Sequence, residues 1–330
     1  MKRGSLLALV AGLVLLGLVV AHSDLGQVAH LLAGIEWSGV VGVVALFCLA
    51  WAVEILAWAL TFTTRPVGTR WLWQLWRVNM VGEAMNVVMP LGSLGGEPIK
   101  AWLLKRHYQV GYREAATTLV LMQTLLALAE TLFVALGALL ACLFGILPAA
   151  IEHLLSGAAV VLAMAMAIVV IGLHRRWLRG LLEAFEQRFG GARFARLKDS
   201  LVDVEHALAD FARTQPHRFT ASTVLFLGNW LGGAAELWLI LQLLEAPLPF
   251  ASCWVAEAAI VTIRSLTFFL PAQLGSVEAV TVFVISALGG GGELGLALSA
   301  VRRARELAWS VAGLSVGAAY QLDWRAARGG

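Results

Sequence analysis

Between Ser5 and Tyr320 the chain is a succession of apolar runs, several of them about twenty residues or longer, separated by short turns. Inside a bilayer every backbone N–H and C=O must find its partner within the protein, and runs of this kind do so only as helices. The expected fold class is therefore all-α: a polytopic membrane protein of about six to eight spans, with residues 1–330 as a single integral membrane domain. A composition of 60% hydrophobic and 14% charged residues excludes an ordinary soluble domain. Cys48, Cys142 and Cys253 lie singly in apolar runs, and the seven histidines are dispersed, so no metal, redox centre or cofactor is expected. Nothing suggests a nucleic-acid partner.

Two stretches break this pattern. Val88 to Pro98 reads Val-Met-Pro-Leu-Gly-Ser-Leu-Gly-Gly-Glu-Pro, and Phe269 to Glu278 reads Phe-Leu-Pro-Ala-Gln-Leu-Gly-Ser-Val-Glu. Both give bulky residues, a proline, then Leu-Gly or Leu-Gly-Gly shortly before a glutamate. Proline removes a backbone donor and glycine holds a helix poorly, so both places should be unwound. Unwound backbone at membrane depth is tolerated where it is buried or lines a cavity, and paired breaks in two halves of a chain point to a transporter's central site. The expected organisation is a first broken element with an interfacial helix over 71–112 and a second broken element over 252–288, in an inverted repeat.

The basic residues set the expected orientation. Of 24 Lys and Arg, Arg77, Arg264, Arg302, Arg303 and Arg305 fall within membrane segments, and the other 19 fall on one side if both termini are cytoplasmic. Ser5 to Ala21 then reads as a retained first span, since no Ala-x-Ala cleavage motif follows it. Further spans are expected near 38–60, 114–145, 154–173, 219–244 and 294–320. Ile99 to Tyr112, with Lys100, Lys105, Arg106 and His107, suits a helix lying at the cytoplasmic interface. Residues 174–217 carry two amphipathic stripes separated by Gly190-Gly191 and are expected to form a cytoplasmic helical hairpin. Gly289 to Gly292 reads as a flexible connection. The second broken element either crosses twice or re-enters; both paths end on the same side.

A charge at the bilayer centre costs about 2.5–3.5 kcal/mol even on a lenient insertion scale. Glu54, Glu83, Glu130, Glu236, Glu257, Glu278 and Glu306 lie in apolar segments with the five arginines above, so these groups must pair or face a wet cavity. Arg302 and Glu306 are one turn apart and suit a pair within their own helix. Arg264 follows Glu257 by two turns, on the same face but without certain contact, which leaves it an ion-pair partner or a headgroup ligand. Asn79, Glu83 and Asn86 share a face that should turn away from lipid. Glu97 and Glu278 suit either N-terminal caps or headgroup contacts, and the two roles are compatible. The candidate substrate-binding set is Asn79, Glu83, Asn86, Pro90, Gly92, Ser93, Gly95, Gly96, Glu97, Arg264, Pro271, Gly275, Ser276, Glu278, Arg302 and Glu306.

Gly313-Leu314-Ser315-Val316-Gly317 fits a nucleophile elbow on paper, but within an apolar helix it reads as a Gly-x-x-x-Gly packing face. Gly92 to Gly96 lacks the Gly-Lys-Ser/Thr ending of a phosphate loop.

The Pro90-x-Gly92-x-x-Gly95-Gly96-Glu97-Pro98 core, Pro271 to Glu278, and Arg302-Arg303-x-Arg305-Glu306 resemble a flippase-like membrane family that shares its fold with the transmembrane part of lysylphosphatidylglycerol synthases. The late segment and chain length look most like its hopanoid-biosynthesis-associated members. The resemblance covers nearly the whole chain. It implies a bacterial inner-membrane lipid translocator carrying a polar or anionic lipid, a hopanoid or a phospholipid, through a midplane crevice. Because the chain ends soon after the last span, the synthases' soluble aminoacyl-transfer activity is expected to be absent. Gly275-Ser276-Val277-Glu278 lacks the double glycine of the first break, so strict equivalence of the two sites does not follow. Two alternatives remain: an embedded lipid-modifying enzyme using Glu97 or Glu278 as acid or base, and a non-catalytic scaffold for lipid-biosynthesis enzymes.

Overall fold

A computed structural model describes residues 14, 17–18, 20–21, 23–88, 95–175, 209–267 and 273–320. Pro90, Gly92, Ser93 and Pro271 lie outside these residues, as does most of the expected hairpin at 174–217. All regular structure among the described residues is helical. The helices are α1 (Leu25–Ala33), α2 (Trp37–Ala59), α3 (Thr69–Val88), α4 (Glu97–Tyr108), α5 (Tyr112–Phe144), α6 (Ala149–Arg175), α7 (Pro216–Leu243), α8 (Phe250–Leu266), α9 (Ser276–Ala287) and α10 (Gly291–Ala319).

Local chemistry explains several boundaries. Asp24 caps α1, its Oδ1 accepting from the Gly26 and Gln27 amides at 2.8 and 3.2 Å. Gly145 ends α5 in the left-handed conformation, at φ 58°. Pro216 begins α7, where a missing N–H is harmless. The glycine run expected as a flexible connection is instead a tight turn between α9 and α10. Gly289 and Gly291 have φ of 87° and 77°, a region closed to most side chains.

Within α2, α5, α6 and α7 lie four segments long and apolar enough to cross a membrane. Helix α10 has 29 residues, length enough to span, but its middle carries Arg302, Arg303, Arg305 and Glu306. The chain is a multi-pass membrane protein.

The helices pack in a recurring pattern. Helix α2 lies along α7, α3 against α10, α5 against α8, α1 against α10 and α6 against α5. Short α4 packs on both α3 and α5, and short α9 on both α8 and α10. One apolar cluster is built from Phe133 to Ala141, Ala234 to Leu244, much of α8 and the start of α10. A second joins Trp51 to Phe62, the inner face of α3, Leu103, Leu104 and the first half of α5. Helices α2, α5, α7 and α10 run through both clusters, and α7 and α10 carry the polar groups Asn229 and Arg302 near their midpoints.

Helix α4 is buried on one face: Lys100, Leu103 and Leu104 are fully buried, while Pro98 in its first turn and Lys105, Arg106 and His107 in its last are exposed. Residues 100, 103 and 104 share one face, and that face is wedged between α3 and α5. Arg77, counted among the membrane charges, lies 4.5 Å over the Tyr320 ring instead of joining the central polar groups.

The Gly313 face packs as its pattern suggests. A side chain at Gly313 would run into the Met80 carbonyl oxygen and approach the Ala84 Cβ to 2.8 Å. Gly313→Ala is accordingly expected to push α10 off α3 and lower stability by about 1–3 kcal/mol, read as a fall in thermal midpoint in detergent. An unchanged midpoint would contradict this packing.

Candidate functional site

Two adjoining cavities, of about 280 and 350 Å³, open at the centre of the bundle. Both are walled by Trp51, Glu83, Asn86, Arg264, Arg302 and Arg305, so together they form one polar crevice.

The first break supplies one wall. Glu97 opens α4 and Lys100 lies one turn later, beneath α3. Lys100 Nζ contacts Glu83 Oε1 at 2.7 Å and Glu97 Oε1 at 2.9 Å. Gln123 donates to Glu97 at 3.0 Å, and Asn86 donates to Glu83 at 3.2 Å. Close backbone approach makes this possible. A Cβ at Gly96 would overlap the Gly82 carbonyl oxygen, and one at Gly82 would overlap the Lys100 stem. The Gly96 N–H is taken by Asn86 Oδ1 at 2.7 Å. Gly95 is buried beside it. Asn79, fully buried, donates to Glu54 on α2 at 3.0 Å.

The second break supplies the facing wall. Gly275 turns at φ 79° and donates its N–H to Glu278 Oε2 at 2.8 Å. Glu278 thereby caps α9 while its other oxygen binds Arg303 at 2.6 Å. The expected capping role is present, and the remaining oxygen is taken by Arg303. The Ser276 hydroxyl serves the local turn, lying 3.0 Å from the Gln273 carbonyl oxygen and 3.2 Å from Thr267 Oγ1, either of which can accept its one hydrogen.

The expected intrahelical Arg302–Glu306 pair does not form. Arg302 reaches Glu257 of α8 at 2.7 Å and the Gly233 carbonyl of α7 at 2.8 Å, while Glu306 binds Arg303 at 2.7 Å. Side chains at i and i+3 on α10 meet as readily as those at i and i+4, and tertiary carboxylates compete for Arg302. Arg305 turns to Glu236 at 3.1 Å and lies 3.9 Å over the Phe47 ring.

Arg264 is the exception. Its guanidinium makes no ion pair or hydrogen bond among the described residues, although it borders both cavities. Glu257, its same-face neighbour on α8, is held by Arg302. Glu130 bonds Ser265 and influences Arg264 only through space. Trp51 and Trp309 border the same crevice, with buried indole N–H groups that have no hydrogen-bond partner among the described residues.

Of the residues singled out from the sequence, the structure brings Glu83, Asn86, Arg264, Glu278, Arg302 and Glu306 to the crevice wall. Glu97 and Asn79 lie directly behind it through Lys100 and Glu54; Gly95, Gly96, Gly275 and Ser276 shape the turns. The candidate set omitted Glu54, Lys100, Gln123, Asn229, Glu236, Glu257, Arg303 and Arg305. The i, i+3 spacing of Glu97 and Lys100 was the available signal for Lys100. For Glu54, Glu236, Glu257, Arg303 and Arg305 the signal was their charge within apolar segments.

Fold and site thus define a helical multi-pass membrane protein with a charged, largely ion-paired crevice between the α3–α4 and α8–α9 helix pairs. The chain belongs to the family described as the lysylphosphatidylglycerol synthase TM region, which matches residues 5–313. No curated protein and no solved structure matched in the other two comparisons.

Proposed function

We propose that the protein is a lipid translocator in which a headgroup crosses through the central crevice while the hydrocarbon body stays in the bilayer. The observation that carries this is Arg264. It is a cation bordering a membrane-embedded cavity; Glu257, on the same face of α8, is held by Arg302, and Glu130 acts on it only through space. Arg264 is partly buried; an unpaired charge at membrane depth is costly, and an anionic headgroup offsets that cost when it binds. The indole N–H groups of Trp51 and Trp309 would supply further donors. An anionic phospholipid is the first cargo to test; a hopanoid, suggested by resemblance to the hopanoid-associated members, is the second.

The packing supports an inverted repeat. Exchanging α1–α5 with α6–α10 turns the α3–α10 contact into α8–α5, α1–α10 into α6–α5, α4–α5 into α9–α10 and α2–α3 into α7–α8, while α2–α7 maps onto itself. The α5–α7 contact is the main exception. This arrangement suits a bacterial inner membrane with both termini cytoplasmic. For an embedded enzyme, the acid–base candidates Glu97 and Glu278 are tied to Lys100 and Arg303.

Leaflet exchange of labelled phosphatidylglycerol and a labelled hopanoid in vesicles tests the proposal. Arg264→Gln is expected to slow exchange of the anionic lipid about 10- to 100-fold, the equivalent of one charge-assisted hydrogen-bonding group, with little change in thermal stability. Wild-type protein that is folded yet exchanges neither lipid would remove the translocator reading.

A further inference from the structure

Six carboxylates border the crevice, and five of them have a cation: Glu83 has Lys100, Glu236 has Arg305 and Arg302, Glu257 has Arg302, and Glu278 and Glu306 share Arg303. The sixth is Glu54, near the end of α2. Its oxygens are held by two amides, Asn79 of α3 at 3.0 Å and Asn229 of α7 at 3.2 Å. Among the described residues no Lys or Arg reaches it. Its charge can therefore change without breaking an ion pair.

The cradle also accommodates both protonation states. When Glu54 is ionised, Asn79 Nδ2 donates to Oε1, and Asn79 Oδ1 is left buried without a partner among the described residues. A half-turn of that amide exchanges its oxygen and nitrogen, so Oδ1 then accepts from a protonated Glu54. Asn229 continues to donate to the other oxygen. Cations would interfere with such a switch, and Asn79 and Asn229 are both neutral.

We propose that Glu54 is a proton-binding site of the crevice, loading and unloading one proton as lipid crosses. This rests on the translocator reading above. The charged neighbours are Glu83 on α3, with Glu97 and Lys100 behind it on α4 acting through space. Glu236 on α7, Glu257 and Arg264 on α8, and Arg302 and Arg305 on α10 border the same cavity. Helix α5 contributes Gln123 there, which does not titrate. An anionic lipid at Arg264 would add negative charge to this cavity, making proton uptake at Glu54 the compensating event.

Two measurements on the full chain in vesicles test this. Infrared difference spectra across about pH 5 to 9 read carboxyl protonation without requiring transport. The expected result is a protonated-carboxyl band that titrates in wild type and is missing in Glu54→Gln, a variant whose amide oxygen can still accept from an asparagine. A band that survives in Glu54→Gln belongs to another group and overturns the proposal. The second measurement is the steady-state leaflet ratio of labelled phosphatidylglycerol under an imposed proton gradient. One proton per lipid predicts up to about tenfold asymmetry per pH unit in wild type, an even distribution in Glu54→Gln and recovered asymmetry in Glu54→Asp. Exchange that occurs but ignores the gradient in wild type overturns the coupling while leaving translocation intact. Absence of any wild-type exchange overturns translocation and coupling together, and the infrared band still decides whether Glu54 binds the proton.

Discussion

Lys100→Met is expected to destabilise the protein by about 3–5 kcal/mol, enough to lose most folded material on heating in detergent. Lys100 is fully buried, and Glu83 and Glu97 both face its ammonium within 2.9 Å. Methionine replaces the stem but not the charge, leaving two carboxylates close together with no cation between them. Placing the cation elsewhere is not open to the fold, because the stem runs over Gly82 with no room for a Cβ between them. Adding Glu83→Gln and Glu97→Gln to Lys100→Met should restore much of the loss, since a neutral cluster has no uncompensated charge to bury. The measurement is the surviving monodisperse fraction after a temperature ramp. A Lys100→Met profile matching wild type would mean that Lys100 does not hold α4 between α3 and α5.

The difference between Lys100 and its basic neighbours shows what could be read from the chain. Lengths of apolar runs placed α2, α5, α6, α7 and α10 within a few residues of their observed bounds, because length and hydropathy are local properties. The packing role of Gly313 was legible for the same reason. In α4, by contrast, Lys100 looked like one more member of the basic group that includes Lys105, Arg106 and His107. Helical geometry separates them: 100, 103 and 104 face inward, and the last turn faces out. The partner that explains Lys100, Glu83, lies across the first break. The Arg302 partners are more remote still, with Glu257 forty-five residues away in the chain. That these membrane charges must be compensated followed from physics. Which carboxylate takes which arginine follows only from how α7, α8 and α10 meet, and so does the isolation of Arg264.

Arg302→Met extends that point to a second large expected effect. Arg302 holds α7, α8 and α10 together through Gly233, Glu257 and, at 3.7 Å, Glu236. Its loss leaves Glu257, only 4% exposed, without a cation, at an expected cost of about 3–5 kcal/mol. Glu257→Gln alone should cost less, about 1–3 kcal/mol, because Arg302 keeps the Gly233 carbonyl and Glu236 nearby. The double variant should be more stable than the two losses added together, and strict additivity in a double-mutant cycle would refute the pair. Arg302→Lys should fall between, since one ammonium cannot reproduce the guanidinium fork. Exchange adds a second reading. In Arg302→Met the released Glu257 lies two turns before Arg264 on the same face of α8, free to capture it and compete with the headgroup. Exchange of an anionic lipid should therefore fall further in Arg302→Met than in Arg302→Met/Glu257→Gln, at matched amounts of folded protein. The double variant again leaves Arg264 without a carboxylate partner, which is the condition that headgroup binding requires.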